Sequence, residues 1–263
     1  MIGDVVGDPG VEALERRLPV LIRENSADFV VVNGENAAGG FGLTADLLNR
    51  IIAAGADLVT SGNHIWEKRE FWPTLDSEER VLRPLNYPEG SLGLKTAGKG
   101  WAKLEKPSPW GPIAWLTVNL QGRDFMKAID CPFKAFDALE TATGTEKPVI
   151  LVDFHAESTR EKEALAYYLD GRASLIAGTH THIQTADERL LPKGSAYITD
   201  LGMTGTIDGI IGMDTKICLD RARNQVLYRM EVAGATSEGR TAVQGIIAEI
   251  DAESRKAVSI KRL

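Results

Sequence analysis

Short apolar runs alternate with amphipathic stretches along most of the chain. Phe29–Val32, Asp57–Thr60, Val149–Val152 and Ser174–Ala177 are rich in β-branched residues and bounded by Gly, Asn or Asp, the pattern of buried strands. Between them the apolar spacing changes to the helical period. Thr44 stands where an N-cap belongs, ahead of Leu47, Leu48, Ile51 and Ile52 on one face, and Gly55 follows where that helix should end. Ser158 and Glu161 have the spacing of a capping box before Ala164, Leu165, Tyr168 and Leu169, with Gly171 as the stop signal. This alternation predicts an α/β sandwich, and residues 1–263 read as a single domain. The rhythm breaks from about Leu82 to Pro112, where "RPLNYPEGSLGLKTAGKGW" is rich in Gly and Pro, so an irregular surface excursion or lid is expected over 82–112.

Composition narrows the classes of function. A chain of 263 residues that is 43% apolar and 25% charged can bury a large core. No apolar run approaches the roughly 18 residues that span a bilayer, and the N-terminus lacks a basic, signal-like region. A soluble, cytoplasmic protein that does not engage membranes is expected. Cys131 and Cys218 are too few and too far apart for a disulfide framework or a thiolate metal site, and read as packing thiols. The net charge of −7, without a Lys/Arg stripe, argues against a protein that grips extended nucleic acid through its phosphates. A small ligand fits better, and the composition leaves a homo-oligomer open.

The chemistry collects behind the strands. "VVVN" leads into Gly34-Glu35-Asn36, "DLVTS" into Gly62-Asn63-His64, "VILVDF" into His155 and "SLIAG" into His180 and His182. All four histidines of the chain therefore follow the C-terminal end of a predicted strand, the edge along which open α/β sheets bind ligands. Imidazole nitrogens mixed with Asp, Glu and Asn oxygens suit divalent Mn, Fe, Zn or Co. In extended backbone, residues at i and i+2 point to one side, so His180 and His182 are expected to reach one cluster while serving neighbouring ions.

The ordered series Gly3-Asp4, Gly34-Glu35-Asn36, Gly62-Asn63-His64, His155 and Gly178-Thr179-His180-Thr181-His182 resembles the signature of the calcineurin-like metallophosphoesterases. More narrowly, "NGENAAGG", "SGNHIW", "RPLNYP", "DFHAE", "GTHTHIQTAD" and "DLGMTG" are similar to the YmdB-like branch of 2′,3′-cyclic-nucleotide phosphodiesterases. The departures from the wider superfamily are specific. Val5 and Val6 follow Asp4 where Asp-x-His is usual, Glu35 stands in place of Asp, and Ile65 replaces the acidic residue that commonly follows Asn-His. The YmdB-like branch shares the Glu and lacks the same first-motif His. Gly209 occupies a position where that branch tends to have Ser, and only three residues precede Asp4, so the first strand is expected to be short or truncated.

The resemblance implies a four-layer α/β/β/α sandwich and a pair of divalent transition-metal ions, Fe or Mn before Zn or Co. It assigns Asp4, Glu35, Asn36 and His182 to one ion and Glu35, Asn63, His155 and His180 to the other, with Glu35 bridging. Asn36 either ligates directly or fixes the Glu35 carboxylate. Two ions about 3.5–4 Å apart can share and acidify a water and clamp phosphoryl oxygens, so hydroxide is expected to attack phosphorus in line. His64 resembles the proton donor to the leaving oxygen. Asn86 and Tyr87 in "RPLNYP" are expected to contact a base, and Thr204, Gly205 and Asp208 to line the pocket, although packing or a tight turn explains the same residues. The expected activity is hydrolysis of small 2′,3′-cyclic nucleotides to 3′-nucleotides. A broad phosphomonoesterase on the same metal core, or a metal-bound regulatory scaffold without turnover, are the competing readings.

Overall fold

The computed structural model describes residues 1–90, 95–109, 111–143, 147–234 and 240–263. Its elements run β1 (Asp4–Val5), α1 (Gly7–Asn25), β2 (Val31–Asn33), α2 (Ala45–Ala53), β3 (Leu58–Thr60), α3 (Trp72–Ser77), β4 (Trp101–Lys106) and β5 (Ile113–Gln121). There follow α4 (Pro132–Thr143), β6 (Val149–His155), α5 (Thr159–Leu169), β7 (Leu175–Thr179), β8 (Arg189–Leu190), β9 (Ala196–Ile198) and β10 (Met203–Thr206). The chain closes with α6 (Thr215–Asn224), β11 (Thr241–Val243), β12 (Ile246–Ile250) and β13 (Ala257–Arg262). No helix among the described residues is long and apolar enough to cross a membrane.

Two sheets lie at the centre. One is six-stranded in the order β4-β5-β6-β7-β9-β8, with β5, β6, β7 and β9 parallel and antiparallel strands at both edges. The other is assembled from the parallel pair β2-β3 and the set β1-β10-β11, which meet through bridges from Ile2 to Val32 and from Val6 to Asn36. Alternation along each strand sets what each face touches. Ile150, Val152 and Phe154 of β6 and Ile176 of β7 pack beneath α4 and α5 with Phe136, Leu139, Leu165 and Leu169. Val149 and Leu151 of β6, Leu175 and Ala177 of β7, Val31 of β2 and Leu58 of β3 fill the space between the sheets. Val32 and Val59 turn outward to Leu14, Leu18, Leu48 and Ile51 of α1 and α2. Helix, sheet, sheet and helix therefore form four layers, the α/β sandwich that the alternating pattern predicted.

The local signals act as read, with one exception. The Thr44 side chain accepts from Leu47 N at the start of α2, and the Ser158 side chain accepts from Glu161 N at the start of α5. Gly55 and Gly171 both take positive φ just beyond those helices. Glu161, however, does not close a reciprocal box: its carboxylate accepts the backbone N–H groups of Arg123 and Asp124 instead, tying down the turn after β5. The stretch expected to be an irregular excursion also differs. Trp101–Lys106 is strand β4, paired antiparallel to β5, and Arg83, Leu82 and Asn86 are buried. Gly and Pro there shape the approach to an edge strand, while 91–94 and 110 lie outside the described residues.

A buried ion pair ties α5 to the loop that follows β9. Lys162 on α5 and Asp200 after β9 are essentially inaccessible, with Nζ 2.7 Å from Oδ2. Asp200 also accepts from the backbone N and the Oγ1 of Thr181 at 3.1 and 2.8 Å, and from Gly202 N at 2.8 Å. Removing one partner of a buried pair leaves an uncompensated charge, so Lys162→Met should cost about 3–5 kcal/mol. Urea unfolding measures this, and a loss below about 1 kcal/mol would show that Asp200 needs no cation.

Candidate active site

Strand alternation delivers the site. On the faces between the sheets, the apolar positions give way to polar ones towards the C-terminal strand ends: Leu151 is followed by Asp153 and His155, Ala177 by Thr179, Val31 by Asn33, and Leu58 by Thr60. Glu35 and Asn36 lie two and three residues beyond β2, Asn63 and His64 beyond β3, and His180 and His182 beyond β7. His155 is itself the last residue of β6.

Glu35 is the meeting point. Its carboxylate lies 2.9 Å from His155 Nε2 and accepts from Asn36 Nδ2 at 3.2 Å and from the backbone N of His64 at 3.1 Å. His155 Nε2 is also 3.0 Å from His180 Nδ1 and 3.2 Å from Asn63 Oδ1. Ligand atoms of Glu35, His155 and His180 thus lie within 4.8 Å of one another, as a metal-binding group requires. Gly62 makes this approach feasible, because a Cβ there would stand 2.3 Å from His155 Nε2 and 2.5 Å from Glu35 Oε2.

On the other side of Glu35, Asn36 Nδ2 lies 3.1 Å from His182 Nε2. His182 Nδ1 donates to the carbonyl of Ile211 at 2.9 Å, which turns the lone pair of Nε2 towards Asn36 and the site. Asp4 on β1 is fully buried. One of its oxygens accepts from His180 N at 3.2 Å, and the other, Oδ1, has no hydrogen-bond partner and lies 3.9 Å from His155 Nδ1. The two histidines of "GTHTH" do not share extended backbone as expected. β7 ends at Thr179, and His180 and His182 take φ of 105° and 64°. Thr181 between them is anchored on Asp200, so the turn sends one imidazole towards His155 and the other towards Asn36. Left-handed backbone at non-glycine residues is costly and concentrates at functional sites.

The electrostatics follow from burial. Desolvation pushes the Asp4 carboxyl up to about 7, against the pull of His182 and His155. Burial also pushes Glu35 up, but the His155 charge and hydrogen bond outweigh it and hold the carboxylate low. His155 answers in the opposite sense: burial lowers it, and Glu35 more than compensates. His180 is pushed down to about 3 by burial and by the neighbouring His155. Behind His155, Thr179 Oγ1 bonds Nδ1 at 2.9 Å and donates to Asp153 at 2.7 Å. Asn33 Nδ2 and Thr60 Oγ1 also bond Asp153, a supporting network that no motif announced.

His64 sits at the rim. It is partly exposed, its Nδ1 is 3.5 Å from Glu67, and its ring meets Phe41 edge-on at 5.0 Å. Glu67 therefore faces the imidazole where Ile65, buried in the core, cannot. Val6, in place of the usual histidine, packs with Met203 and Met213.

The expected substrate contacts fare less well. Asn86 is not available to a base: its amide donates to the carbonyls of Gln121 and Asp130, and its oxygen accepts from Gln121 N. Thr204 stands in register with Val5, whose side chain packs under α1, so it faces away from Asp4 and the site, and Gly205 continues that strand instead of forming a turn. Asp208 is held on the surface by the backbone and guanidinium of Arg240. Of these only Tyr87 lies close enough to the site for Glu35 to act on its hydroxyl, and its ring is 4.3 Å from Trp66.

Comparison with known proteins identifies the family. The family described as YmdB-like protein matches residues 1–263. A protein of Bacillus subtilis (strain 168) named 2′,3′-cyclic-nucleotide 2′-phosphodiesterase is 44% identical over 262 residues, covering 100% of this chain and 94% of the relative. The crystal structure of a novel phosphatase from Mycoplasma pneumoniae superposes with a TM-score of 0.90 at 30% identity, covering 100% of this chain and 90% of that one. A 5′-nucleotidase from Candida albicans, at 16% identity and a TM-score of 0.51, covers 78% of this chain and 42% of its own, and shares the fold. The chain belongs to the YmdB-like family of metallophosphoesterases.

Proposed function

We propose that this protein is a dinuclear metal-dependent phosphodiesterase that hydrolyses 2′,3′-cyclic nucleotides to 3′-nucleotides. The observation that carries the reading is the convergence around buried Glu35 of His182, reached through the Asn36 amide, on one side and of Asn63, His155 and His180 on the other. The donors fit hard to borderline divalent cations, being imidazole nitrogens with carboxylate and amide oxygens. Asp4 fits the same role, since its buried Oδ1 has no partner from the chain. In this reading Asp4, Glu35 and His182 hold one ion, and Glu35, Asn63, His155 and His180 the other. Asn36, whose amide nitrogen faces both Glu35 and His182, orients those ligands.

When bound, two divalent ions supply positive charge against the phosphoryl oxygens and acidify water near neutral pH. The chain supplies the remaining parts. Thr179 and Asp153 fix the His155 ring, and Ile211 fixes the tautomer of His182. His64, reachable from solvent and adjacent to Asn63, gives a proton to the departing 2′ oxygen, which otherwise leaves as a poor alkoxide. Departure of the 2′ oxygen is what the name of the Bacillus subtilis relative describes. A soluble, cytoplasmic enzyme acting on a small nucleotide is consistent with the net charge of −7.

Elemental analysis after reconstitution with Mn, Fe or Zn should find about two ions per chain; one ion or fewer at saturation would contradict the dinuclear assignment. Chromatography of the product should show the 3′-nucleotide, and bis-p-nitrophenyl phosphate should be preferred to p-nitrophenyl phosphate. A 2′-nucleotide would reverse the assigned orientation, and preference for the monoester would point to a phosphomonoesterase.

His64→Gln should retain both ions yet slow hydrolysis of alkyl esters by about 10²–10⁴-fold, with a smaller defect on aryl esters whose phenolate needs little protonation. Equal defects on both ester classes would mean that His64 positions the phosphate. His182→Ala, by contrast, should lose one ion together with nearly all turnover.

A further inference from the structure

Gln121 closes β5, and the site described above makes no use of its side chain. Leu116, Val118 and Leu120 of this strand enter the core beneath α4 and α5, so Thr117, Asn119 and Gln121 face the opposite sheet. Gln121 stands in parallel register with His155. Its side chain therefore shares a sheet face with that imidazole, one strand spacing of about 4.8 Å away. It is fully buried, yet neither its amide nitrogen nor its amide oxygen has a well-aligned hydrogen-bond partner. Buried polar atoms are almost always paired, and the Gln121 carboxamide has only a poorly aligned contact with the Tyr87 hydroxyl, which leaves most of its hydrogen-bonding capacity for a group from outside the chain.

The backbone of the same residue is firmly held. Asn86 accepts from Gln121 N at 2.9 Å and donates to its carbonyl at 2.8 Å, and the Glu161 carboxylate grips Arg123 N and Asp124 N just beyond. The backbone of the strand end is fully hydrogen-bonded, and the side chain it presents is not. Tyr87 repeats the pattern. Its hydroxyl is buried against the Gln121 amide in a poorly aligned contact; burial pushes its pKa up, the Gln121 contact opposes this only in part, and the hydroxyl stays protonated. Its ring is braced by Trp66. An amide donor, an amide acceptor and a neutral hydroxyl complement sugar hydroxyls better than they complement the charge of a phosphate.

We propose that Gln121 and Tyr87 form the sugar subsite, with the Gln121 carboxamide donating to and accepting from ribose hydroxyls and the Tyr87 hydroxyl completing the contact. The proposal rests on the phosphodiester reading above. It names Gln121, not Asn86, as the polar residue of the substrate pocket, with Asn86 setting its position.

Isothermal titration of the Mn-loaded protein with adenosine 3′-monophosphate and, separately, with inorganic phosphate tests it without turnover. The unaltered protein should bind the nucleotide more tightly than phosphate. Gln121→Leu should weaken the nucleotide about 10- to 100-fold while leaving phosphate affinity unchanged. Its thermal stability should change little, because a poorly satisfied buried amide is replaced by an apolar group of similar size. Tyr87→Phe, a smaller change, should also weaken the nucleotide alone and provides a second test should Gln121→Leu fold poorly. Equal affinities for the two ligands in the unaltered protein, unchanged nucleotide binding in both variants, or a parallel loss of both ligands would each overturn the proposal. Failure to hydrolyse cyclic nucleotides would refute the assigned activity, whereas a Gln121-dependent preference for nucleotide over phosphate would still establish the subsite.

Discussion

Buried negative charge is the constraint on which the structure turns. Asp4, Glu35, Asp153 and Asp200 are all withdrawn from water between or beside the two sheets. An ionised carboxylate in such a place destabilises the fold by several kcal/mol unless it is paired and hydrogen-bonded. Three of the four have an evident answer within the chain. Lys162 and three backbone or hydroxyl donors satisfy Asp200. Asn33, Thr60 and Thr179 surround Asp153, and His155 faces Glu35. Asp4 keeps one oxygen without a partner, and its carboxyl is pushed upward by burial. A site of this kind has reason to attract cations.

The sandwich places these groups by a simple device. Its parallel strands share one direction, and on their inner faces alternate residues change from apolar to polar near the C-terminal ends. The same positions that build the core between the sheets, Val149, Leu151, Val31 and Leu58, are continued by His155, Asp153, Asn33 and Thr60. Core and site are therefore successive segments of one face. The buried pair of Lys162 and Asp200 adds the final restraint, because Asp200 holds Thr181 and thereby the turn that separates His180 from His182.

Much of this is legible in the sequence, since short strands of β-branched residues and the polar residues after them are local patterns. Glu35, Asn36, Asn63, His155, His180 and His182 come together because each follows or ends such a strand. What is not legible depends on pairing across long separations. Nothing local marks Lys162 as the partner of Asp200, or Asp153 as the support of Thr179 and His155. Asn86 looks like a ligand contact in the sequence because it lies in a Pro-flanked loop with Tyr87, but the fold spends both ends of its amide on the neighbouring backbone. Gln121 carries no motif, and only its register with His155 and its poorly satisfied carboxamide distinguish it. The Gly- and Pro-rich stretch before β4 hides an edge strand for the same reason: its partner β5 lies further along the chain.

If bound cations compensate the buried carboxylates, metal binding and folding must be linked by mass action, since a ligand held only by the native state stabilises it in proportion to the logarithm of its excess concentration. The most direct measurement is the thermal unfolding midpoint of chelator-treated protein titrated with Mn, compared with Glu35→Gln. The midpoint of the unaltered protein should climb steadily with metal concentration, and the climb should largely disappear in the variant. A midpoint indifferent to metal, or an equal climb in Glu35→Gln, would contradict the account.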